Sequence, residues 1–243
     1  MKNKVYIKFL IFFASFFILN FSFINISAES SDLSIKVTTK NIQENLPEFK
    51  CNLKIPRIQT NDDSTLSKSI NNEVLSFANN LKNKFESDSK EYASSANNQG
   101  FPIRPYVLSS EYHVPYNQNG LLSIKNVFYE YTAGAHGYYY FRTYTLDFNN
   151  DKKLLLKDLF PSNYDYNSVI TNEIMNQISI HTELYFPEYT ENAQKLPVSY
   201  NFFIEPGYLV VYYDLYEIAP YASGIPEFKI PISIFGENIN LKI

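Results

Sequence analysis

The sequence predicts an α+β protein built from two small units, each with one helix packed on a mostly antiparallel sheet. It contains 21 Tyr and 20 Phe but no Trp, and these aromatic residues favour strands. Two long segments repeat apolar residues every three or four positions, which is typical of amphipathic helices. Strand-like alternation and turn residues follow each of these segments. We therefore predict one unit over residues 29–149 and a second over residues 150–243.

Residues 1–28 are predicted to be a signal peptide. Lys2 and Lys4 precede an apolar run from Phe9 to Leu19, and the segment ends at the small residue Ala28, as a secretory leader does. An uncleaved membrane anchor is the alternative, because patchy apolar character approaches a membrane-spanning length. Both alternatives place the protein outside the cytoplasm, either secreted or on the extracellular face of the membrane, with membrane contact only through an uncleaved N-terminal segment.

Charge and cysteine content narrow the classes of partner and fold. Loss of residues 1–28 removes three lysines and no acid, so the formal charge would change from -4 to -7. No basic stripe exists to neutralise phosphates, and we expect no nucleic-acid partner. An acidic surface is compatible with a cationic partner. Cys51 is the only cysteine, so no internal disulfide is expected, and its alternating neighbours predict a small buried residue on a strand.

The first unit is predicted to contain a strand, a long helix and a meander. Phe49–Ile55 alternates apolar and polar residues, and Pro56 is expected to end this strand. The helix is predicted at about residues 63–87, with the polar stretch 87–100 as a fraying end or loop. A three-stranded antiparallel meander is predicted over residues 106–148. Its first turn contains Asn119 and Gly120, and Asn-Gly is a strong hairpin signal.

The second unit is predicted to contain a helix at about residues 164–185 and strands within residues 200–235. The helix would bury Ile170, Ile174 and Ile178 along one face. A turn at residues 205–207 would join the first two strands. The last strand contains Pro231, which cannot donate a ladder hydrogen bond, so this residue is expected at a free sheet edge.

The residues suited to chemistry are few. The three histidines fit no zinc-binding pattern, and no nucleotide-binding loop or catalytic signature is present, so we expect neither metal nor cofactor. His136 lies between two glycines in the central turn, which joins the second and third strands of the predicted meander. There it either caps the turn or is presented to a ligand. Glu130 and Asp147 are the first carboxylate pair to consider for glycoside hydrolysis, which needs carboxyl groups about 5–10 Å apart. Ordinary sheet-surface charges are the simpler interpretation of this pair.

Three segments, residues 131–137, 155–160 and 216–224, together resemble a bacterial exported tandem of two domains of unknown function. This tandem forms the extracellular part of RsiV-type anti-sigma factors, and its first domain also precedes the catalytic domain of some cell-wall polysaccharide deacetylases. The resemblance spans roughly residues 35–235. It implies an ectodomain that binds lysozyme directly. Because so few residues precede the apolar run, we expect no anti-sigma activity, and we expect no deacetylase domain after the second unit.

The resemblance favours two loops as contact sites, the central turn and the loop at residues 219–224, because recognition residues are commonly found on loops held by rigid sheets. We expect the contact residues to be His136, Tyr138, Pro220, Tyr221 and Ser223. Turn geometry is expected to depend on Gly134, Gly137, Gly207 and Gly224. The predicted function is a non-catalytic exported binding module for a cell-wall-related partner, either a lysozyme-like muramidase or peptidoglycan. The alternatives are a cell-envelope hydrolase with a site around His136 and a structural envelope protein.

Overall fold

The computed structural model describes residues 35–61, 64–190 and 201–241, which belong to one compact unit. These residues form two helices and nine strands in two sheets, which confirms the predicted α+β class. The helices are α1 (Thr65–Asn98) and α2 (Tyr166–Ile180). The strands are β1 (Lys36–Asn45), β2 (Phe49–Gln59), β3 (Tyr106–Gln118), β4 (Leu121–Tyr131), β5 (Tyr138–Asp147), β6 (Lys152–Lys153), β7 (Asn201–Glu205), β8 (Tyr208–Tyr212) and β9 (Glu227–Pro231).

The N-terminal prediction cannot be placed on this fold, because the predicted signal peptide, residues 1–28, lies outside the described residues. Within the described ranges, neither helix combines the length and apolar character needed to cross a membrane.

The larger sheet has the strand order β1-β2-β3-β4-β5-β6, and the smaller sheet has the order β7-β8-β9. Only β2 and β3 pair in parallel, because α1 connects them as a crossover, and the other strand pairs are antiparallel. The meander β3-β4-β5 forms where it was predicted. Its first turn places Asn119 and Gly120 at φ values of 54° and 76°, the left-handed backbone that an Asn-Gly hairpin turn requires.

Two boundaries in the first unit differ from prediction. β2 continues through Pro56 to Gln59, because β1 remains its partner along the whole strand, whereas pairing with β3 stops at Leu53. Helix α1 begins after the cap Ser64, whose side chain accepts a hydrogen bond from the Ser67 amide. It then extends to Asn98, well beyond the predicted end at residue 87.

The polar stretch after residue 87 is helical because its small residues lie on the inner face. Ser89, Ala93 and Ala96 are buried there, and they satisfy the helical spacing without large apolar side chains. The helix ends in a Schellman motif at Gly100, whose φ is 73°. The amide of Phe101 donates to the carbonyl of Ala96 at 2.9 Å, which is the characteristic closing bond of that motif.

The two sheets pack face to face, with one helix on each outer side. Helix α1 covers the larger sheet through a core that includes Leu53, Ile70 and Phe128. The smaller sheet lies against the opposite face: the Tyr212 ring contacts Phe141 at 5.2 Å, and the Ile204 amide donates to the Ser123 hydroxyl at 3.0 Å.

Helix α2 covers the outer face of the smaller sheet. Its residues Ile170, Ile174 and Ile178 are completely buried, as predicted. The helix ends at Ile180, earlier than the predicted residue 185, and two short 3-10 turns, Thr182–Leu184 and Pro187–Tyr189, follow it. Strand β9 carries Pro231 and forms one edge of the smaller sheet, which agrees with the expectation for that proline.

Candidate functional site

The central turn, residues 132–137, joins β4 to β5 and presents an exposed His136. Atom Nδ1 of His136 lies 2.9 Å from the carbonyl oxygen of Gly137, so the ring is held by the turn itself. The left-handed residue of the turn is Ala133, with φ 62°, and not Gly134. Gly137 gives space to the ring of Tyr129, because a Cβ atom at this position would overlap that partly exposed ring and force it to move.

The loop before β9 meets this turn. It contains a short 3-10 segment, Tyr221–Ser223, and ends at Gly224 with φ 77°. The Tyr221 hydroxyl donates to the Gly137 carbonyl at 2.9 Å, across 84 residues of sequence. The Ser223 hydroxyl donates to the Leu184 carbonyl at 2.7 Å. The central turn and the loop before β9, which lie far apart in the sequence, therefore form one surface.

Aromatic rings cover this surface. The Tyr221 ring lies 4.5 Å from His136, 5.8 Å from Tyr216 and 6.2 Å from Tyr139, measured between ring centroids. Such separations are those of favourable aromatic pairs. Tyr138 begins β5 directly opposite Glu130 and is 39% exposed. We call His136, Tyr138, Tyr139, Tyr216 and Tyr221 the tyrosine patch.

Tyr216 is presented by a strained turn. The turn is closed by hydrogen bonds from the Glu217 amide to the Asp214 carbonyl at 3.1 Å and from the Asp214 amide to Glu217 Oε2 at 2.9 Å. Tyr216 has φ 68° and is 49% exposed. A left-handed backbone at a bulky residue costs about 1–3 kcal/mol, and such strain concentrates at functional sites. The strained backbone therefore indicates that the exposed Tyr216 ring is a candidate functional residue.

Half-buried carboxylates adjoin the tyrosine patch. Burial raises the pKa of Asp214, and burial followed by the charge of Asp214 raises the pKa of Glu217. The pKa of Tyr138 is also raised, first by burial and then by the charges of Asp214, Glu130 and Glu217. Among the described residues, no lysine or arginine forms an ion pair with Asp214 or Glu217. The patch therefore combines exposed rings with two neighbouring carboxylates that no lysine or arginine among the described residues neutralises.

The predicted contact residues are only partly brought together. The His136 and Tyr221 rings contact each other at an interplanar angle of 33°, and Tyr138 lies near the carboxylates of Asp214 and Glu217. Ser223 turns away to bind Leu184, and Pro220 is half-buried at the start of the 3-10 segment. Gly207, with φ 78°, lies in the β7–β8 turn and not at the patch.

Sequence reasoning missed Asp214, Tyr216 and Glu217 as members of this surface. The motif at residues 216–224 contained two of them, but no periodicity indicated that a strained turn would expose the ring.

The structure separates the carboxylate pair considered for hydrolysis, which favours the simpler interpretation of ordinary sheet-surface charges. Glu130 pairs with Tyr138, whereas Asp147 pairs with Leu121 at the other end of β4. Nine strand positions at about 3.3 Å each separate the two carboxylates by roughly 30 Å, far beyond the distance that glycoside hydrolysis requires. No carboxylate hydrogen-bonds to His136 among the described residues, and that part of the chain contains no cluster of three metal-ligating side chains.

Comparison with known families separates the chain into two segments. The sequence profile of the family described as deacetylase PdaC matches residues 42–139. The profile of DUF3298, a family of proteins of unknown function, matches residues 157–233. The tyrosine patch draws residues from both segments, because His136 and Tyr138 belong to the first match and Tyr221 belongs to the second.

Similarities to individual proteins agree with these two family matches. Anti-sigma-V factor RsiV of Bacillus subtilis (strain 168) is 28% identical over 206 residues, which cover 82% of this chain and 68% of RsiV. A DUF3298 family member from Bacteroides fragilis has a similar crystal structure, with a TM-score of 0.61, 24% identity, and coverage of 86% of this chain and 94% of that one. A DUF3298 family protein from Pseudomonas aeruginosa gives a TM-score of 0.54 and 17% identity, with coverage of 85% and 94%. The chain therefore carries a PdaC-like segment followed by a DUF3298-like segment, and this tandem resembles RsiV.

Proposed function

We propose that this chain is an exported binding module whose tyrosine patch binds a basic, lysozyme-like protein. The similarity to RsiV supports an extracellular ectodomain of this type. The observation that carries the proposal is the position of Asp214 and Glu217. Both carboxylates are half-buried next to exposed aromatic rings, and no lysine or arginine among the described residues pairs with them.

The chemistry of this surface suits a cationic protein. Tyrosine is enriched at protein interfaces because it combines large apolar area with a polar tip. A lysine or arginine of the partner would lie against Tyr138 or Tyr216 as a cation–π contact. The same cation would neutralise Asp214, whose burial already disfavours its charge. Electrostatic attraction between an acidic module and a basic partner also accelerates association.

The rigidity of the surface supports recognition as well. The Tyr221 hydroxyl ties the two loops together through Gly137, and Ser223 anchors the second loop to Leu184. Because these contacts fix the loops before binding, less conformational entropy is lost when a partner binds.

The test is calorimetric titration of the full chain with lysozyme at low salt. We expect saturable binding that Tyr216→Ala weakens by at least about tenfold, as for a central aromatic contact. Tyr208→Ala is the matched control, because Tyr208 is also an exposed tyrosine (39%) but lies at the opposite end of β8. This control should change the affinity less than twofold.

A parallel titration with purified peptidoglycan separates the two wall-related partners. The absence of saturable lysozyme binding by the unmodified chain would refute the proposal. If lysozyme binds but Tyr216→Ala and Tyr208→Ala behave alike, the tyrosine patch is not the binding surface.

A further inference from the structure

A separate pocket lies at the C-terminal end of α1, in the PdaC-like segment. It has a volume of about 380 Å³, at the lower end of the range of about 300–1,000 Å³ for small-ligand sites. Tyr92, Ser95, Gln99, Phe101 and Arg104 contribute to its wall, and Ala133 of the central turn borders it. None of the five wall residues belongs to the tyrosine patch.

The Schellman motif holds an aromatic ring at the pocket. Phe101 follows Gly100, and its amide is fixed by the bond to Ala96 at 2.9 Å. A residue in this position usually packs back against its own helix. The Phe101 side chain instead is 62% exposed, although a phenyl ring gains considerably from burial. The backbone is therefore constrained while the ring remains available for a ligand.

Arg104 and two polar residues, Ser95 and Gln99, complete the wall. Arg104 is exposed and forms no ion pair with an acid among the described residues. Its backbone amide lies 3.4 Å from the Tyr92 hydroxyl, and the Tyr92 ring stacks on Tyr106 at 5.3 Å, which anchors this part of the chain. Gln99 Nε2 donates to the Ser95 hydroxyl at 3.0 Å, so the amide oxygen of Gln99 and the hydroxyl hydrogen of Ser95 remain available for further hydrogen bonds.

We propose that this pocket binds an acidic sugar. The apolar face of a pyranose ring would lie on Phe101, the sugar carboxylate would pair with Arg104, and hydroxyl groups would bond to Gln99 and Ser95. Arginine binds carboxylates through two parallel hydrogen bonds, which gives orientation as well as affinity. A pocket lined by one arginine and one exposed phenylalanine suits a singly charged sugar unit better than a polyanion.

Titrations of the full chain followed by NMR compare sugars that differ in one acidic group. Methyl glucuronide against methyl glucoside tests the carboxylate alone. N-acetylmuramic acid against N-acetylglucosamine tests whether the acidic sugar can come from the bacterial wall. We expect the preferred acidic sugar to bind at least about tenfold more tightly than its neutral counterpart, as expected for a charge-assisted bidentate contact.

Variants assign the effect to named residues. Arg104→Ala should abolish the preference for the acidic sugar, and Arg104→Lys should restore only part of it, because lysine lacks the planar fork. Phe101→Ala should weaken the acidic and neutral sugars about equally. Arg57→Ala is the matched control, since Arg57 is an exposed arginine outside this pocket, and it should leave both affinities unchanged.

Equal affinity for acidic and neutral sugars would overturn the proposal, as would the absence of saturable binding by every sugar. An equal effect of Arg57→Ala and Arg104→Ala would also overturn it. Lysozyme titration of Arg104→Ala separates this site from the tyrosine patch, because that variant should bind lysozyme as the unmodified chain does. The two proposals can therefore fail independently.

Discussion

The space between the two sheets and the tyrosine patch both combine aromatic rings with carboxylates, but among the described residues only the first adds a cation that pairs with its carboxylate. Between the sheets, Lys125 Nζ lies 4.8 Å from the Phe141 ring centroid, 4.6 Å from the Phe203 ring centroid and 3.0 Å from Glu227 Oε2. At the tyrosine patch, Asp214 and the neighbouring rings have no such cation among the described residues. Between the sheets, the chain supplies the cation itself as Lys125. At the tyrosine patch, no described lysine or arginine fills the corresponding position.

This difference separates a structural role from a binding role. The Lys125 side chain, on β4, is only 16% exposed, and its contacts come from β5, β7 and β9, so it joins the larger sheet to the smaller one. The tyrosine patch lies at the surface, where the half-buried carboxylates of Asp214 and Glu217 have no cationic partner among the described residues. A surface that has the rings and acids but not the cation is suited to accept that cation from another molecule.

The largest expected effect is the loss of the internal cation. Lys125→Met should lower the free energy of unfolding by roughly 2–3 kcal/mol, because it removes two cation–π contacts and leaves Glu227 partly buried without its partner. Urea denaturation measures this change. Lys54→Met is the control, since the Lys54–Glu111 pair is exposed at 48% and 67% and should contribute less than about 1 kcal/mol. Equal losses in the two variants would contradict a special role for Lys125.

The next prediction concerns the bond that holds the tyrosine patch together. Tyr221→Phe should lower the free energy of unfolding by about 1–1.5 kcal/mol, because the Gly137 carbonyl loses a hydrogen bond. Tyr208→Phe provides the comparison at an exposed tyrosine on the opposite end of β8, and it should be nearly neutral. Denaturant unfolding of both variants checks the prediction. A Tyr221→Phe variant as stable as Tyr208→Phe would mean that this bond does not fix the patch.

These effects concern contacts that sequence patterns could not reveal. The burial of Ile170, Ile174 and Ile178 and the turn at Asn119–Gly120 were predictable, because periodicity and turn chemistry are local. The late part of α1 was missed, since Ser89 and Ala93 are small enough to face the sheet without an apolar signal.

The tyrosine patch was predictable only in fragments. His136 and Tyr221 meet because two loops converge in space, and no spacing rule encodes that contact. The strain at Tyr216 was also unpredictable, because a tyrosine gives no preference for left-handed backbone. Lys125 resembles any strand-surface lysine in the sequence, and its role appears only when the second sheet covers it.

The strain at Tyr216 can be measured by comparing two truncations. Both Tyr216→Ala and Tyr216→Gly remove the ring, but only glycine adopts φ 68° without a steric cost. Tyr216→Gly should therefore be more stable than Tyr216→Ala by about 1 kcal/mol, while both variants lose lysozyme binding to the same extent. Thermal and chemical unfolding together with calorimetry test this prediction. Equal stabilities would mean that the turn relaxes and stores no strain.

The smallest effect is the pH dependence that Asp214 contributes. Burial raises the folded-state pKa of Asp214, so the folded chain holds this proton more tightly than the unfolded chain does. The resulting stabilisation is present below the ordinary aspartate pKa and is lost as the pH rises through the raised value. Asp214→Asn should therefore raise the melting temperature slightly at pH 7, with a smaller difference near pH 4, while it weakens binding to a basic partner.

Asp165→Asn supplies a control of opposite sign. The pKa of Asp165 is lowered by hydrogen bonds from the side chain and amide of Ser168 at the start of α2, so its ionised form favours folding above the ordinary aspartate pKa. This variant should lower the melting temperature at pH 7, and the deficit should shrink as the pH falls. If Asp214→Asn also lowered the melting temperature at pH 7, Asp214 would have a stabilising partner in the folded chain. The tyrosine patch would then not differ from the Lys125 region, where the chain supplies its own partner for the carboxylate.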